Sequence, residues 1–490
     1  MTLDPKTPVL VGVGAVVQRA ADPATADEAA TLMAAALERA ADDAGSRELL
    51  TSADRIAVPK GLWEYSDPAR MVAARLGARQ ARTALAEIGV LQSTLLNAAC
   101  CDIAGGKADV VLVVGGEAKY RNVSARAAGV AVSDTPQTDV EPDETLRPAD
   151  ELFTQLEVER GLVMPVNCYA MMENALRYAD GQTVEAHRDA VAGLWAGFSR
   201  IAADNPYAWY REPMPAAEIR DASSENRMLA FPYTKRHNSQ WNVDQAAGLI
   251  LCSVEKARAL GLASDGWIFP LAGVESNHMV PLALRRDLHR CPAFAIAGTR
   301  AWSLAGRASS DLAHVDLYSC FPIAVRIQAR ELGLTEQRPL TVTGGMAFAG
   351  GPLNNYVLQA AVRMAEVLRD DSEATGLTTA VSGMLMKQGV NLWSATPAAE
   401  AFRFEDVSAA AAAATATLTL VDDVDGDAPV ASYTVLYLGD TPVRGIALCD
   451  LPDDRRALVT TDDVAIMTEM LAGEFCGRQV RLASGGAFSI

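Results

Sequence analysis

The stretch A-D-V-V-L-V-V at Ala108–Val114 most constrains the fold of this chain. It is apolar and β-branched and is followed by two glycines, which is typical of a strand buried on both faces of a sheet. The residues before it, Gln92–Ala104, show helical spacing of apolar side chains, and a glycine pair ends that segment. A helix that leads into such a strand predicts an α/β protein.

The same order of elements occurs twice along the chain. The first half has predicted strands at Val9–Val13 and Asp54–Pro59 and a predicted helix at about Thr25–Asp43. The second half has predicted strands at Trp267–Val274, Val315–Tyr318, Thr341–Thr343 and Thr378–Ser382, and predicted helices at Ala293–Leu304 and Tyr356–Leu368. This duplication of β-α-β units predicts a layered α/β architecture.

Two further regions depart from that pattern. The segment between the halves is helical and loop-like, with many Met, Asn and Pro residues, and is predicted to form a lid. The end of the chain has short alternating strands, at Thr417–Val421, Ala431–Tyr437, Gly445–Cys449 and Ala457–Thr460, which predict a small antiparallel β-barrel. We therefore predict four units: residues 1–118 as the first half, 119–245 as the lid, 246–400 as the second half, and 401–490 as the barrel, of the oligonucleotide/oligosaccharide-binding type.

Charge and cysteine content exclude several classes of function. The net charge of −18 over 490 residues argues against nucleic-acid partners and anionic membranes. No apolar run approaches the roughly 20 residues of a membrane-spanning helix, and the first ten residues do not resemble a signal peptide. The eight cysteines include no C-x-x-C pair, so a reduced cytoplasmic protein without a metal site is expected.

Four motifs, in order along the chain, carry a resemblance to a known family. They are N-P-Y-A at Asn205–Ala208, N-V-D-Q-A-A-G-L-I-L-C-S at Asn242–Ser253, D-L-Y-S-C-F at Asp316–Phe321, and the glycine-rich turn T-V-T-G-G-M-A-F-A-G-G-P-L-N at Thr341–Asn354. Over roughly residues 7–400 the chain resembles the thiolase superfamily, and within it the branch of sterol-carrier-protein-type thiolases. With the barrel appended, it is most similar to thiolase-like proteins type 1. The resemblance implies a duplicated αβαβα fold with a lid.

The resemblance also implies a ligand and the positions of the catalytic groups. Thiolases act on acyl-CoA through a cysteine nucleophile, an activating histidine and a second cysteine. These three positions fall on Gly89, Gly351 and Ser382. No cysteine occurs in residues 1–99 or 321–448, and Cys100 and Cys101 lie about three helical turns from Gly89. We therefore expect CoA or acyl-CoA as ligand, no required cofactor, and no thiolase turnover.

Tyr318 stands where the branch places a residue that faces the substrate carbonyl. A phenol can donate a hydrogen bond to an oxyanion or, with a lowered pKa, accept a proton. Some relatives with tyrosine here resemble retro-aldol lyases, but Ser319 replaces their aspartate. The alternative is a tyrosine that only fills space at the end of a strand.

Basic and imidazole side chains supply the remaining candidates. Lys235, Arg236 and His237 form a basic cluster at the junction of lid and core, which could contact CoA phosphates together with the backbone of the Gly350-Gly351 turn, or could be solvated surface. His278 could project into the cleft or have a structural role.

Three functions follow as hypotheses. The first is an acyl-CoA-binding, thiolase-like protein of lipid metabolism without thiolase activity. The second is an enzyme of different chemistry, a retro-aldol lyase or acyltransferase that uses Tyr318. The third is a scaffold in an acyl-CoA complex, whose barrel binds a partner protein.

Overall fold

A computed structural model of the protein describes residues 3–138 and 140–490. The strands are β1 (Pro8–Gln18), β2 (Arg55–Pro59), β3 (Arg82–Ala86), β4 (Val110–Ala118), β5 (Glu144–Leu146), β6 (Met228–Ala230), β7 (Tyr233–Thr234), β8 (Asp244–Ser253), β9 (Phe269–Ser276), β10 (Leu312–Asp316), β11 (Thr375–Ser382), β12 (Lys387–Ser394), β13 (Arg403–Asp406), β14 (Thr419–Val421), β15 (Gly426–Leu438), β16 (Thr441–Leu451), β17 (Arg455–Thr461), β18 (Gln479–Ala483) and β19 (Ala487–Ser489). The α-helices are α1 (Ala29–Ala44), α2 (Glu48–Thr51), α3 (Pro68–Leu76), α4 (Gln92–Ala104), α5 (Lys119–Ala128), α6 (Gln155–Glu159), α7 (Pro165–Ala179), α8 (Val184–Asp204), α9 (Ala216–Arg220), α10 (Val254–Ala259), α11 (Pro292–Ala305), α12 (Pro322–Glu331), α13 (Tyr356–Asp370), α14 (Ser408–Ala414) and α15 (Val464–Ala472).

Two sheets enclose a central helical layer. The first sheet has the order β1-β8-β4-β2-β3-β5 and the second the order β10-β11-β12-β9-β13. Helices α4 and α13 contact each other and strands of both sheets, so they lie between them. Helix α1 packs on the first sheet and α11 on the second. These five layers confirm the predicted duplicated αβαβα architecture.

The glycine-rich turn of the second half does not begin with a strand. We predicted a strand at Thr341–Thr343, and this prediction is wrong, because the segment bonds to a carboxylate instead of a neighbouring strand. Asp316, fully buried at the end of β10, accepts hydrogen bonds from the backbone amides of Val342 and Thr343, both at 3.0 Å, and from the Thr341 hydroxyl at 2.8 Å. The aspartate therefore fixes where the turn begins.

The C-terminal strands close into a barrel. Strands β15, β16, β17, β19 and β18 form a ring in which each pairs with the next, and β17 with β19 is its parallel pair. The predicted small barrel is confirmed. Strands β18 and β19 complete the ring, whereas the predicted strand at Thr417–Val421 is β14, which pairs in parallel with β17 outside the ring.

The barrel is bonded to the lid. Strand β15 pairs with β6, and the Asn174 side chain on α7 donates to the Tyr433 carbonyl at 2.9 Å. The Ser432 hydroxyl donates to the Met171 carbonyl at 2.6 Å. Within the described residues, no helix combines the length and the apolar character needed to cross a bilayer.

Candidate active site

The positions expected to carry two catalytic cysteines lie next to each other. Gly89 has a φ of +103° and stands three residues before the first residue of α4. Ser382 is the last residue of β11, and its hydroxyl donates to the Gly89 carbonyl at 3.2 Å. Two segments nearly 300 residues apart in sequence therefore meet at one point, which we call the cleft floor.

A lysine reaches the same point, and sequence analysis missed it. Lys387 is the first residue of β12 and pairs with Ser382 across the β11–β12 hairpin. Its Nζ lies 3.5 Å from the Gly89 carbonyl, and the residue is 2% exposed. Burial lowers the pKa of the Lys387 amine, because the charged form loses hydration. The sequence feature that could have identified Lys387 is the rarity of lysine: the chain has only seven lysines, and this one follows the turn after Ser382.

Tyr318 lies beside the first turn of α4. Its carbonyl accepts a hydrogen bond from Gln328 at 2.8 Å, and its ring meets that of Tyr356 edge-on at 5.7 Å. The Gln92 side chain is beside its hydroxyl. Burial raises the pKa of the phenol, so at neutral pH it stays protonated and acts as a hydrogen-bond donor.

The glycine-rich turn is held against the lid. Gly350 has a φ of +108°, and a Cβ there would lie 2.1 Å from the Gln245 side-chain oxygen. Gln245 in turn donates to the carbonyls of Ala349 at 2.8 Å and Tyr207 at 3.0 Å. The Gly351 amide donates to the Gln240 carbonyl at 2.8 Å. Only glycine fits at position 350, and these hydrogen bonds fix the turn in place against the lid.

The basic cluster divides into two surface residues and one buried residue. Lys235 and Arg236 line a pocket of about 270 Å³. His237 is 3% exposed, its ring lies 5.7 Å from that of Tyr233, and its Nε2 has no hydrogen-bond partner in the described part of the chain. Burial lowers the pKa of His237 to about 4, so the imidazole is neutral.

A larger pocket adjoins the first. It measures about 840 Å³ and shares Tyr210, Met214 and Arg236 with the smaller one. Arg19 and Arg211 also line it, and the Arg19 guanidinium lies 4.3 Å from the centre of the Trp209 ring. Three arginines line this opening together with two carboxylates, Glu212 and Glu218, so its charged lining is only slightly basic.

One segment joins these pockets to the cleft. Gln240 lines the smaller pocket, and its amide donates to the Met346 carbonyl in the glycine-rich turn at 2.9 Å. The hydroxyl of Ser239 donates to the Cys320 carbonyl, two residues after Tyr318, at 2.9 Å. The chain thus runs from the basic pocket to the turn within five residues.

His278 lies on the loop after β9 and is partly exposed. Burial lowers the pKa of its imidazole, while Asp150 opposes this shift. The same carboxylate acts on Lys387, so His278 and Lys387 share one charged neighbour. The structure gives no direct bond between His278 and Tyr318.

The cysteines surround the floor but bond elsewhere. Cys291 Sγ contacts the side-chain amide of Gln388 at 3.0 Å, and Gln388 points to the opposite face of β12 from Lys387. Burial raises the pKa of Cys320 to about 12. Cys100, on α4, is also buried. In residues 3–138 and 140–490, no group of His, Cys, Asp and Glu is arranged to hold a metal ion.

The chain is similar in sequence and in fold to known proteins. No family model matches the chain. It is 26% identical to the acetyl-CoA acetyltransferase of Methanocaldococcus jannaschii over 246 residues, which is 50% of this chain and only 55% of that enzyme.

Solved structures give a fuller match. A monomeric SCP2-thiolase-like protein type 1 from Mycobacterium smegmatis superposes with a TM-score of 0.83 and 28% identity over 100% of both chains. The Ltp2–ChsH2(DUF35) aldolase has a TM-score of 0.62 at 19% identity, covering 80% of this chain and 98% of that one. Human mitochondrial 3-ketoacyl-CoA thiolase in complex with CoA has a TM-score of 0.56 at 18% identity, with coverage of 80% and 98%. The expected resemblance to the thiolase superfamily, and to its type 1 thiolase-like proteins, is confirmed.

Proposed function

We propose that this chain, a thiolase-type fold with an appended barrel, binds CoA or acyl-CoA and lacks cysteine-dependent thiolase turnover. The observation that carries the proposal is the cleft floor, where the Ser382 hydroxyl bonds to the Gly89 carbonyl at 3.2 Å, at the two positions where the resemblance leads us to expect cysteines. Without a thiolate at this point, no acyl-cysteine can form there.

The nucleotide end of CoA would bind at the two joined pockets. Its 3′-phosphate and pyrophosphate need positive charge, which Arg19, Arg211 and Arg236 supply at the larger pocket and Lys235 at the smaller one. Trp209 is 4% exposed and its ring is covered by the Arg19 guanidinium, so it positions one of these charges and does not itself stack on the adenine. The three arginines outnumber the two carboxylates of the larger pocket, Glu212 and Glu218, and this small excess of positive charge supports the assignment.

The pantetheine arm would follow the segment at Ser239 and Gln240. This segment connects the basic pocket to the Gly351 amide and to the strand end that carries Tyr318. Gly351 itself is packed against Ser239 and Met346, so the arm would follow the outer side of this segment. The thioester would then lie between Tyr318, which donates a hydrogen bond, and the cleft floor.

Isothermal titration with CoA tests the proposal. We expect saturable binding, and we expect Arg236→Gln to raise Kd about tenfold because it removes one phosphate contact. Arg47→Gln is the matched control, since Arg47 is paired with Asp42 on the exposed surface. Absence of heat at millimolar CoA would contradict the proposal.

A second candidate is a lyase that uses Tyr318. The observation in its favour is the buried phenol beside Gln92, close to where the thioester would lie. Turnover of a β-hydroxyacyl-CoA that Tyr318→Phe abolishes would support it. Unchanged turnover in that variant would show that the tyrosine only fills space.

A protein partner for the barrel stays a prediction. Leu438 is 76% exposed and Val464 67% exposed on barrel elements, as expected for a contact surface. Because the barrel is bonded to the lid, substitution is a cleaner test than truncation. Loss of a co-purified partner in Leu438→Ser with Val464→Ser would support the scaffold function.

A further inference from the structure

We propose that the Lys387 amine forms a reversible imine with the keto group of a 3-oxoacyl thioester. The inference deepens the proposed function, since it requires a CoA ester to reach the cleft floor. It assigns a covalent role to a residue that takes no part in the phosphate or pantetheine contacts.

Lys387 is buried without a hydrogen-bonded counter-ion in the described residues, since Asp150, the carboxylate that acts on its charge, is exposed and makes no ion pair with it. Lysine is almost never fully buried unless it is paired, because dehydration of an ammonium group is costly. Lys387 is 2% exposed, and its one hydrogen-bond acceptor within the described residues is the Gly89 carbonyl, at the long distance of 3.5 Å. Lys256, by contrast, is paired with Glu48 at 3.4 Å. A buried, weakly paired titratable group is a candidate for function.

The surroundings of the amine suit carbonyl chemistry. The Ser382 hydroxyl and the Lys387 amine donate to the same carbonyl oxygen, so the two donors lie close to each other. The hydroxyl can pass protons to and from a carbonyl oxygen bound there. Pro148 lies 3.0 Å from the position that a Cβ on Gly89 would take, so it packs against the backbone of the floor.

The reaction balances without an added oxidant or reductant. The neutral amine attacks the keto carbon, an N–C bond forms, and the carbonyl oxygen takes a proton to give a carbinolamine. The nitrogen then loses its second proton while the hydroxyl leaves as water, and an imine results. Addition of water reverses both steps and restores the amine. The lowered pKa of Lys387 increases the neutral fraction that this attack needs.

The choice of a keto group follows from the nucleophile. An amine that attacked the thioester carbon would release the thiol and leave a stable amide, which would consume the site after one event. A ketone two bonds further along the acyl chain gives a linkage that water reverses. A lysine in place of a thiol therefore favours 3-oxoacyl thioesters over simple acyl thioesters.

Borohydride trapping on the full-length protein is the test. The protein is incubated with acetoacetyl-CoA, reduced with sodium borohydride, and analysed by intact mass and peptide mapping. We expect one reduced adduct on Lys387 and none with acetyl-CoA. The exposed Lys107, with 77% of its side chain accessible, gives the background for non-specific labelling. Lys387→Met and Lys387→Arg should both lose the adduct, the second while keeping the positive charge.

The outcomes separate this inference from the proposed function. If calorimetry shows CoA binding but no adduct forms on Lys387, the imine is wrong and the binding function stands. If CoA does not bind, free acetoacetate is the probe: an adduct on Lys387 supports the imine, and its absence overturns it. An acetylated Lys387 from acetyl-CoA without borohydride would overturn the preference for a keto group. Thermal melting of both variants confirms that they are folded.

Discussion

Two buried charged centres of this chain differ in how their charges are neutralised. In the lid, Glu173 on α7 is fully buried and bonds to His187 at 2.7 Å, to the Tyr233 hydroxyl at 2.5 Å and to Arg326 at 3.3 Å. At the cleft floor, Lys387 is almost as buried, but within the described residues its one hydrogen bond is a long contact to a carbonyl, and the nearby charge of Asp150 is not hydrogen-bonded to it.

The difference separates a structural role from a functional one. Burial alone would raise the pKa of Glu173, but the hydrogen bond and charge of His187, together with Arg326, lower it to about 2. The lid centre is therefore satisfied on every side and links α7, α8 and α12. The floor centre is not, and that imbalance points to a ligand or reaction rather than to the fold.

The largest expected change in stability comes from substitution of Glu173, the buried carboxylate of the lid centre. Glu173→Gln should lower the free energy of unfolding by about 3–5 kcal/mol, because it leaves the buried Arg326 charge with only the half-exposed Glu336 as partner. Urea unfolding measures this loss. Glu336→Gln is the control, since Glu336 bonds to the same arginine from a side chain that is 38% exposed, and it should cost under about 1 kcal/mol. Equal losses in the two variants would contradict the distinction.

Low pH should also destabilise the protein through Glu173. Since the pKa of Glu173 falls from 4.5 to about 2 on folding, its contribution is fully present above about pH 4.5 and is lost as the pH falls towards 2. The size of this contribution is about 3 kcal/mol. Unfolding free energies measured across that range should fall in the native chain and change less in Glu173→Gln. Parallel curves for the two proteins would show that another carboxylate dominates.

Removal of the Lys387 charge at the cleft floor should have the opposite effect on the free energy of unfolding. Lys387→Met should raise the unfolding free energy by about 1–2 kcal/mol, because a thioether of similar length replaces a poorly paired ammonium. Lys387→Arg keeps the charge and should not stabilise. A destabilised Lys387→Met protein would mean that the lysine supports the fold.

The smallest effect is expected at the neighbouring hydroxyl. Ser382→Ala removes one hydrogen bond to the Gly89 carbonyl and should cost about 0.5–1.5 kcal/mol. Ser310→Ala, on the exposed surface, is the control and should be neutral. Thermal melting resolves the two, and no loss in Ser382→Ala would indicate that the contact is not formed in solution.

Local sequence signals were sufficient to predict the helices and strands whose tertiary contacts do not override those signals. Helix α4 occurs at Gln92–Ala104 as predicted, because apolar spacing and a terminating glycine both indicated it. The layers and the barrel followed from repeated strand and helix signals. The segment at Thr341–Thr343 was mispredicted because Asp316, distant in sequence, takes its backbone amides.

The site was predictable only in part. Motif order led to Gly89 and Ser382, which the fold brings into contact. It did not lead to Lys387, because a lysine at the start of a strand is typical of a solvent-facing edge, and only the tertiary fold shows its burial. His237 looked like part of a surface cluster for the same reason, and its side chain turns inward against Tyr233.

A crystal structure with bound CoA would show whether the ligand reaches the cleft floor. We expect phosphates against Arg236 and Lys235 and a pantetheine thiol within about 4 Å of the Gly89 carbonyl, with no protein sulfur at that point. CoA bound elsewhere on the chain, or a cysteine thiol occupying the floor, would contradict this expectation.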